Sequence, residues 1–181
     1  MPLGKDAADI VLTPNYIEPG LAPSRNSHVT IMELSDLYSQ RILEIAANQP
    51  IPGRLANADA TIRKVSRICG SSIEIDLSVH DGRISGYGHA ISACALGQTS
   101  AAIVAANVIG APIGEFRALR DQMTAMLKAD GPPPGGKWAD LALLEPVRDY
   151  APRHTSTLLV FDAVVEALDR IEAGQPVAAA N

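Results

Sequence analysis

The central stretch of the sequence, residues 68–94, reads ICGSSIEIDLSVHDGRISGYGHAISAC and contains both cysteines of the 181-residue chain. From Ser72 to Val79, polar and apolar residues alternate strictly, which predicts a strand with one apolar and one polar face. The pair Asp81-Gly82 follows, and an Asp-Gly pair between two such runs favours a type I′ turn. We therefore predict a β-hairpin that starts at Ser72 and returns to about Ile91.

The two cysteines flank this hairpin. Cys69 precedes its first strand, and Cys94 follows its second strand, directly before a segment of small apolar residues that ends near Gly110. That segment is apolar all round and predicts a buried helix, with Cys94 at the N-terminus, where free N–H groups and the helix dipole favour a thiolate. Both thiols then lie at one end of the sheet, provided that the helix packs back across it. The alternative is two ordinary buried cysteines, since free cysteine is often buried.

Composition favours one folded domain with thiols available for chemistry. The chain is 47% hydrophobic and 19% charged with a net charge of -5, which is enough apolar residue content for one core. It has no cluster of Lys and Arg, which argues against a nucleic-acid surface. It has no apolar run of membrane-spanning length and no signal-peptide pattern, so we expect a cytoplasmic protein whose two cysteines stay reduced and serve metal or sulfur chemistry.

The positions of the prolines and of the periodic patterns divide the chain into three predicted segments. Residues 1–31 are predicted to form a mobile N-terminal extension, with Met32 a candidate natural start, residues 32–174 the folded domain, and residues 175–181 a disordered tail. Besides the hairpin and the buried helix, hydrophobic periodicity predicts a strand and four helices. These are a helix capped by Ser35 and ending at Asn48, a strand at Thr61–Ile68, and helices at Ile113–Lys128, at Trp138–Leu144 before Pro146, and from after Pro152 to near Gly174. The predicted fold is one α+β domain, a three-stranded antiparallel sheet with helices covering one face.

Four short motifs occur in a recognisable order. They are Leu37-Tyr38-Ser39 ahead of Asn48 and Pro50, Cys69-Gly70 after a strand, Ala93-Cys94 before the small-residue helix, and Pro152-Arg153-His154-Thr155-Ser156 leading into Leu158-Leu159 and Asp162-Ala163. In this order they resemble the NifU/IscU-type (SufU-like) iron–sulfur cluster assembly scaffolds, over roughly residues 37–173. The resemblance implies a SufE/NifU-like single domain without enzymatic activity. It also implies a scaffold that binds iron and sulfur through cysteine thiolates and transfers the cluster to acceptor proteins.

The resemblance implies that Cys69 and Cys94 are cluster ligands and sulfur acceptors. The family's pattern has Cys-Gly-Asp at the first site and a third cysteine near the C-terminus, whereas this chain has Ser71 and Ser156 at those positions. Iron and zinc prefer sulfur, imidazole or carboxylate ligands, so these two serines are doubtful ligands. The chain is a divergent member by this pattern.

The segment around His154 is open to two interpretations. His154 lies one position before the family's histidine, and Thr155 occupies that register, so His154 is either a metal ligand or a polar residue at the start of a helix. For Thr155 and Ser156 we favour N-capping, since both are preferred N-cap residues directly before a periodic helix. His80 and His89 have no partner that the sequence identifies.

The cysteine count limits what one chain can hold. A [2Fe–2S] cluster takes four protein ligands, normally thiolates, and one chain offers two. Two chains supply four, so the count predicts a cluster that bridges a homodimer, or else a single Fe or Zn ion. The implied partners are a cysteine desulfurase as sulfur donor and cluster-acceptor proteins.

Two other functions remain open at this level. The first is a sulfur carrier, or an accessory protein of the same pathway that binds no metal, which the missing aspartate and third cysteine favour. The second is a hydrolase with Cys69 or Cys94 as nucleophile and His154 as its base. The sequence shows no hydrolase signature and no orienting carboxylate, so the hydrolase ranks last.

Overall fold

The computed structural model describes residues 38–48 and 52–174, which form an α+β arrangement. The predicted extension at residues 1–31, the tail at 175–181 and Ser35 lie outside the described residues. Along the described residues the elements are α1 (Gln40–Ala47), β1 (Ala60–Val65), β2 (Ser72–His80), β3 (Arg83–Ser92), α2 (Ala95–Asn107), α3 (Ile113–Lys128), a 3₁₀ helix (Gly136–Asp149) and α4 (Ala151–Glu172). Within this part of the chain, no helix has both the length and the apolar run needed to cross a membrane.

The sheet is the predicted three-stranded antiparallel one, in the order β1-β2-β3. Asp81 and Gly82 join β2 to β3 with φ angles of 49° and 70°. Two consecutive positive φ angles are the requirement of a type I′ turn, and Gly82 meets that requirement without a steric penalty. The hairpin prediction is therefore confirmed, and its register pairs Ser72 with Ser92 at the end opposite the turn.

One face of the sheet carries the hydrophobic core. Its apolar side chains are Ile62, Ile73, Ile75, Leu77 and Tyr87. Helix α4 packs on β1 and β2 and also contacts α2 and α3. Helix α2 is buried along most of its length, as its all-round apolar sequence predicted. It is fixed to α1 by a buried hydrogen bond from Thr99 Oγ1 to the carbonyl of Ile42, 3.0 Å long.

The opposite face of the sheet is covered in part by the loop before β1, which is held by the buried carboxylate of Asp76. That carboxylate accepts hydrogen bonds from the Arg54 guanidinium (Nη2 at 2.9 Å), the Leu55 backbone N–H (3.0 Å) and the Thr61 hydroxyl (2.7 Å). Burial by itself raises the pKa of Asp76, but the donors, Arg54 foremost, outweigh it and lower that pKa below its usual range. The carboxylate is thus a structural anchor between loop and sheet.

Two helix predictions were wrong in their boundaries. The described first helix begins at Gln40, and Ser39 caps it by accepting a hydrogen bond from the Ile42 backbone N–H. The short helix predicted at Trp138–Leu144 is instead a 3₁₀ helix that continues through Pro146 to Asp149. Pro146 lies inside this 3₁₀ helix and does not end it, although proline lacks a backbone N–H and its ring crowds the preceding turn.

We expect Asp76→Asn to lower the free energy of unfolding by about 2–3 kcal/mol at pH 7, because it removes the charge from a buried, fully hydrogen-bonded acceptor. The folded-state pKa is depressed, so this contribution is present above the unfolded pKa of about 4 and is lost as pH falls through the folded value. Urea unfolding at pH 7 and pH 3 measures it. Asp140→Asn, on an exposed carboxylate, is the control. Equal stability of Asp76→Asn and the parent at pH 7 would contradict the anchoring role.

Candidate functional site: a thiol cleft at one end of the sheet

The two cysteines meet at the end of the sheet opposite the hairpin turn. Cys69 lies just before β2 and Cys94 just after β3, and both are free thiols of intermediate exposure. They line one cleft of about 190 Å³. The lining residues are Cys69, Gly70, Ser71, Ser92, Ala93, Cys94 and Arg153. Both thiols thus lie at one end of the sheet, and neither is fully buried.

A tight turn presents the sulfur of Cys69 to this cleft. The backbone N–H of Ser66 donates to the carbonyl of Ser71 (2.7 Å), and the N–H of Gly70 donates to the carbonyl of Ser66 (2.9 Å). The turn brings two buried serine hydroxyls to the thiol, because Cys69 Sγ lies 3.2 Å from Ser66 Oγ and 3.1 Å from Ser71 Oγ. Ser71, which stands where the family's pattern has an aspartate, is therefore in direct contact with Cys69.

These contacts favour the thiolate form of Cys69. Partial burial raises the pKa of the Cys69 thiol, but hydrogen bonds to the sulfur outweigh burial and lower the pKa to about 7. The largest of these hydrogen-bond contributions comes from the Ser66 hydroxyl. The Ser71 hydroxyl, the Ser71 backbone and the Ser156 hydroxyl follow in that order. A substantial fraction of Cys69 is consequently a nucleophilic thiolate at neutral pH.

Cys94 is the N-cap residue of α2, as predicted, and its partner comes from α4. Cys94 Sγ lies 3.7 Å from Ser156 Oγ, which in turn donates to the carbonyl of Arg153 at 3.0 Å. The helices approach closely at this point, since a Cβ built on Gly97 would lie 3.1 Å from the carbonyl oxygen of Ser156. Ser156, at the expected third-cysteine position, thus contacts the second thiol and also contributes to the pKa of Cys69.

His154 is not among the residues that line the cleft. Its Nε2 lies 3.0 Å from the carbonyl oxygen of Val147 and 2.9 Å from that of Arg148, so the ring joins α4 to the end of the 3₁₀ helix. The capping prediction for Thr155 and Ser156 was wrong, because α4 begins four residues earlier at Ala151. The helix can begin before Thr155 because proline is tolerated in the first turn of a helix, and Pro152 lies in that turn.

Sequence reasoning missed three residues that shape the site. Ser66 and Gly97 act through the turn and the helix contact described above, and Arg153 is one of the residues that line the cleft. Arg153 could have been found from spacing, because residues three apart on a helix are neighbours and it precedes Ser156 by three. Ser66 and Gly97 carry no local signal, since their roles depend on contacts formed only on folding.

Within the described residues, neither His80 nor His89 lines the thiol cleft, and the larger groove is separate from it. His80 is exposed at the hairpin turn beside Asp81, and His89 is buried next to Tyr87 on the core face. A groove of about 340 Å³ between α1 and α2 has no cysteine or histidine in its lining. Among residues 38–48 and 52–174, no group of three or more His, Cys, Asp or Glu side chains is placed to hold a metal ion. The described cleft therefore offers two sulfur donors and serine hydroxyls.

The chain is similar to known proteins in sequence and in fold. The crystal structure of the N-terminal part of a nitrogen-fixing NifU-like protein from Brucella abortus is 48% identical and superposes with a TM-score of 0.76, covering 78% of this chain and 98% of that one. The iron–sulfur cluster assembly scaffold protein IscU of Thermotoga maritima is 25% identical over 135 residues, 75% of this chain and 94% of the relative. No family model matches the chain.

A more distant structure shows the same fold. It is a candidate iron–sulfur cluster assembly scaffold protein for the SUF system from Fervidobacterium islandicum, with a TM-score of 0.68 at 18% identity, covering 74% of this chain and 98% of that one. At this identity the similarity concerns the fold alone.

We expect the rate of Cys69 alkylation by neutral iodoacetamide to reach half its maximum near pH 7. Ser71→Ala removes one hydroxyl from the thiolate, so the pKa should rise and the rate at pH 7 should fall about threefold. Ser85→Ala, an exposed serine on β3, should leave the profile unchanged. Mass spectrometry of the Cys69 peptide across pH measures the rates. An unshifted Ser71→Ala profile would show that this hydroxyl does not stabilise the thiolate.

Proposed function

Because the chain belongs to the NifU-like family, we propose that it is an iron–sulfur cluster assembly scaffold that works through Cys69 and Cys94. The observation that carries the proposal is the meeting of both thiols in one open cleft, although 24 positions separate them in the chain. A cluster is here the cargo, which the chain holds and passes on. A cleft of intermediate exposure suits that task, because sulfur donor and cluster acceptor must both reach the thiols.

We propose that the cluster is a [2Fe–2S] cluster bridging two copies of the chain. Each copy contributes two thiolates, and the four together match the ligand number of the cluster. The hydroxyls of Ser71 and Ser156 stand where the family's pattern has an aspartate and a cysteine, and a neutral hydroxyl is a poor ligand for iron. In this proposal the Ser71 hydroxyl instead stabilises the Cys69 thiolate before iron arrives. His154 is not assigned as a ligand.

Sulfur delivery is assigned to Cys69. The thiolate is the form that attacks a persulfide, and hydrogen bonds favour that form at Cys69. We take a cysteine desulfurase as the donor and cluster-binding proteins as acceptors. We also assign the protein to the cytoplasm, since a reducing compartment keeps both cysteines as free thiols.

A second candidate function is a sulfur carrier that holds a persulfide on Cys69 and binds no stable metal. The serines at the two ligand positions favour it, because one chain then lacks a complete donor set. A hydrolase, in contrast, requires a histidine within hydrogen-bond reach of a thiol, and the Nε2 of His154 is bound to two backbone carbonyls. A single Fe or Zn ion on the two thiolates is the remaining alternative for the cargo.

Anaerobic reconstitution with iron and sulfide tests the scaffold. We expect about one [2Fe–2S] cluster per two chains, with visible thiolate-to-iron absorption that is lost in Cys69→Ser and in Cys94→Ser. His80→Ala, which removes a ligand-type side chain at the far end of the hairpin, should retain the cluster. Size-exclusion chromatography reports the dimer. Uptake of neither iron nor zinc would favour the sulfur carrier, and a stable cluster on a strict monomer would contradict the bridged dimer.

Adding the third thiol should shift the cluster from two chains to one. We expect Ser156→Cys, alone and with Ser71→Asp, to slow cluster loss to a chelator about tenfold and to yield a loaded monomer, because each chain then carries a fuller donor set. Ser85→Cys is the control, since it adds a thiol at an exposed position on β3 outside the cleft lining. Equal behaviour of the cysteine variants would show that Ser156 does not occupy a ligand position.

A further inference from the structure

Of the described residues that line the thiol cleft, Arg153 is the one with a cationic side chain. It is half-buried, and its backbone carbonyl accepts the hydroxyls of Ser156 (3.0 Å) and Thr157 (2.9 Å). Within the described part of the chain, its guanidinium makes no hydrogen bond and no ion pair. The preceding arginine in the sequence, Arg148, in contrast forms ion pairs with Glu145 and Asp130.

The position of Arg153 is not explained by the stability of its helix. It lies in the first turn of α4, where the positive end of the helix dipole disfavours a cation. Among the described residues that line the cleft, none carries a carboxylate, and Ser71 stands where the family's pattern has an acidic residue. The cleft thus combines two thiols, neutral hydroxyls and one unpaired positive charge, a combination that favours anions.

We propose that Arg153 forms an anion subsite that holds the anionic sulfur transferred to Cys69, the terminal sulfur of a persulfide. This inference rests on the proposed sulfur chemistry of the cleft and deepens it. Arg153 is a positioning residue in this scheme. A guanidinium suits the role, because it stays charged at any working pH and offers several donors in a fixed plane.

The transfer balances without an added oxidant. The Cys69 thiolate attacks the outer sulfur of the donor persulfide, R–S–S–H, and the donor's S–S bond breaks as the new one forms. The products are Cys69–S–S–H and the donor thiolate R–S⁻, so one negative charge enters and one leaves. The new persulfide then loses its proton to solvent. Arg153 offsets the negative charge on the attacking thiolate and on the resulting persulfide anion.

The competition between a charged and a neutral alkylating reagent tests the subsite. Iodoacetate is an anion and iodoacetamide is neutral, and the thiolate fraction of Cys69 cancels in the ratio of their rate constants. We expect Arg153→Gln to lower this ratio about threefold to fivefold, as one unit charge a few ångströms away in nearly aqueous surroundings does. Arg153→Lys should restore most of it, and Arg63→Gln, an exposed arginine on β1, should leave it unchanged.

Trypsin makes the measurement specific for one thiol, because cleavage after Arg67, Arg83 and Arg117 places Cys69 and Cys94 in separate peptides. In a second measurement the protein is treated with inorganic polysulfide. Persulfide on Cys69 is then detected in the same peptide as the added mass of one sulfur atom. We expect slower persulfide formation in Arg153→Gln and recovery in Arg153→Lys. An unchanged reagent ratio in Arg153→Gln would overturn the anion subsite, whereas absence of persulfide and cluster in the parent chain would overturn the proposed function itself.

Discussion

Where α2 crosses α4, the absence of a side chain at Gly97 lets the two helices approach within contact distance. A Cβ there would lie 2.9 Å from Ala93 Cβ and 3.1 Å from the Ser156 carbonyl oxygen, so a larger residue would push the helices apart. This approach sets the separation of Cys94 from Ser156 and therefore the width of the thiol cleft. Cys94 and Ser156, 62 positions apart in sequence, are brought together by this helix contact.

The sheet fixes the relative position of the two cysteines. The hairpin register brings the start of β2 beside the end of β3, so that Cys69 and Cys94 emerge at the same end. Helix α4 packs on the sheet and on α2 together, which places its first turn over this end. Arg153 and Ser156 enter the site through that placement. The cleft is thus assembled by three segments, each fixed by the common core.

The serines at two expected ligand positions change the character of the site. A carboxylate beside Cys69 would add negative charge and oppose ionisation of the thiol, whereas the hydroxyl of Ser71 stabilises the thiolate. Arg153 in the lining is the basis on which we propose that the cleft favours anionic sulfur. With serines at both positions, one chain has two thiols to offer as ligands, and the proposal of a cluster shared by two chains rests on that count.

Predictions from the sequence succeeded where a local pattern has a single structural solution. The alternation from Ser72 and the Asp81-Gly82 turn are of this kind, as is the period of Ile113–Lys128. They failed where a local signal competes with packing. Serine and threonine before a periodic helix are good caps, yet α4 extends past them because Pro152 is tolerated in a first turn and the core continues the helix.

The sequence by itself determined the α+β class, the hairpin, and the position of both thiols at one sheet end, because alternation, turn chemistry and register are local properties. Only the tertiary structure decided which residues surround the thiols. It placed Ser66, Ser71 and Ser156 at the sulfurs, added Arg153 and turned His154 to the carbonyls of Val147 and Arg148. Those contacts depend on how α4 packs over the sheet and α2, and that packing is encoded in the whole core.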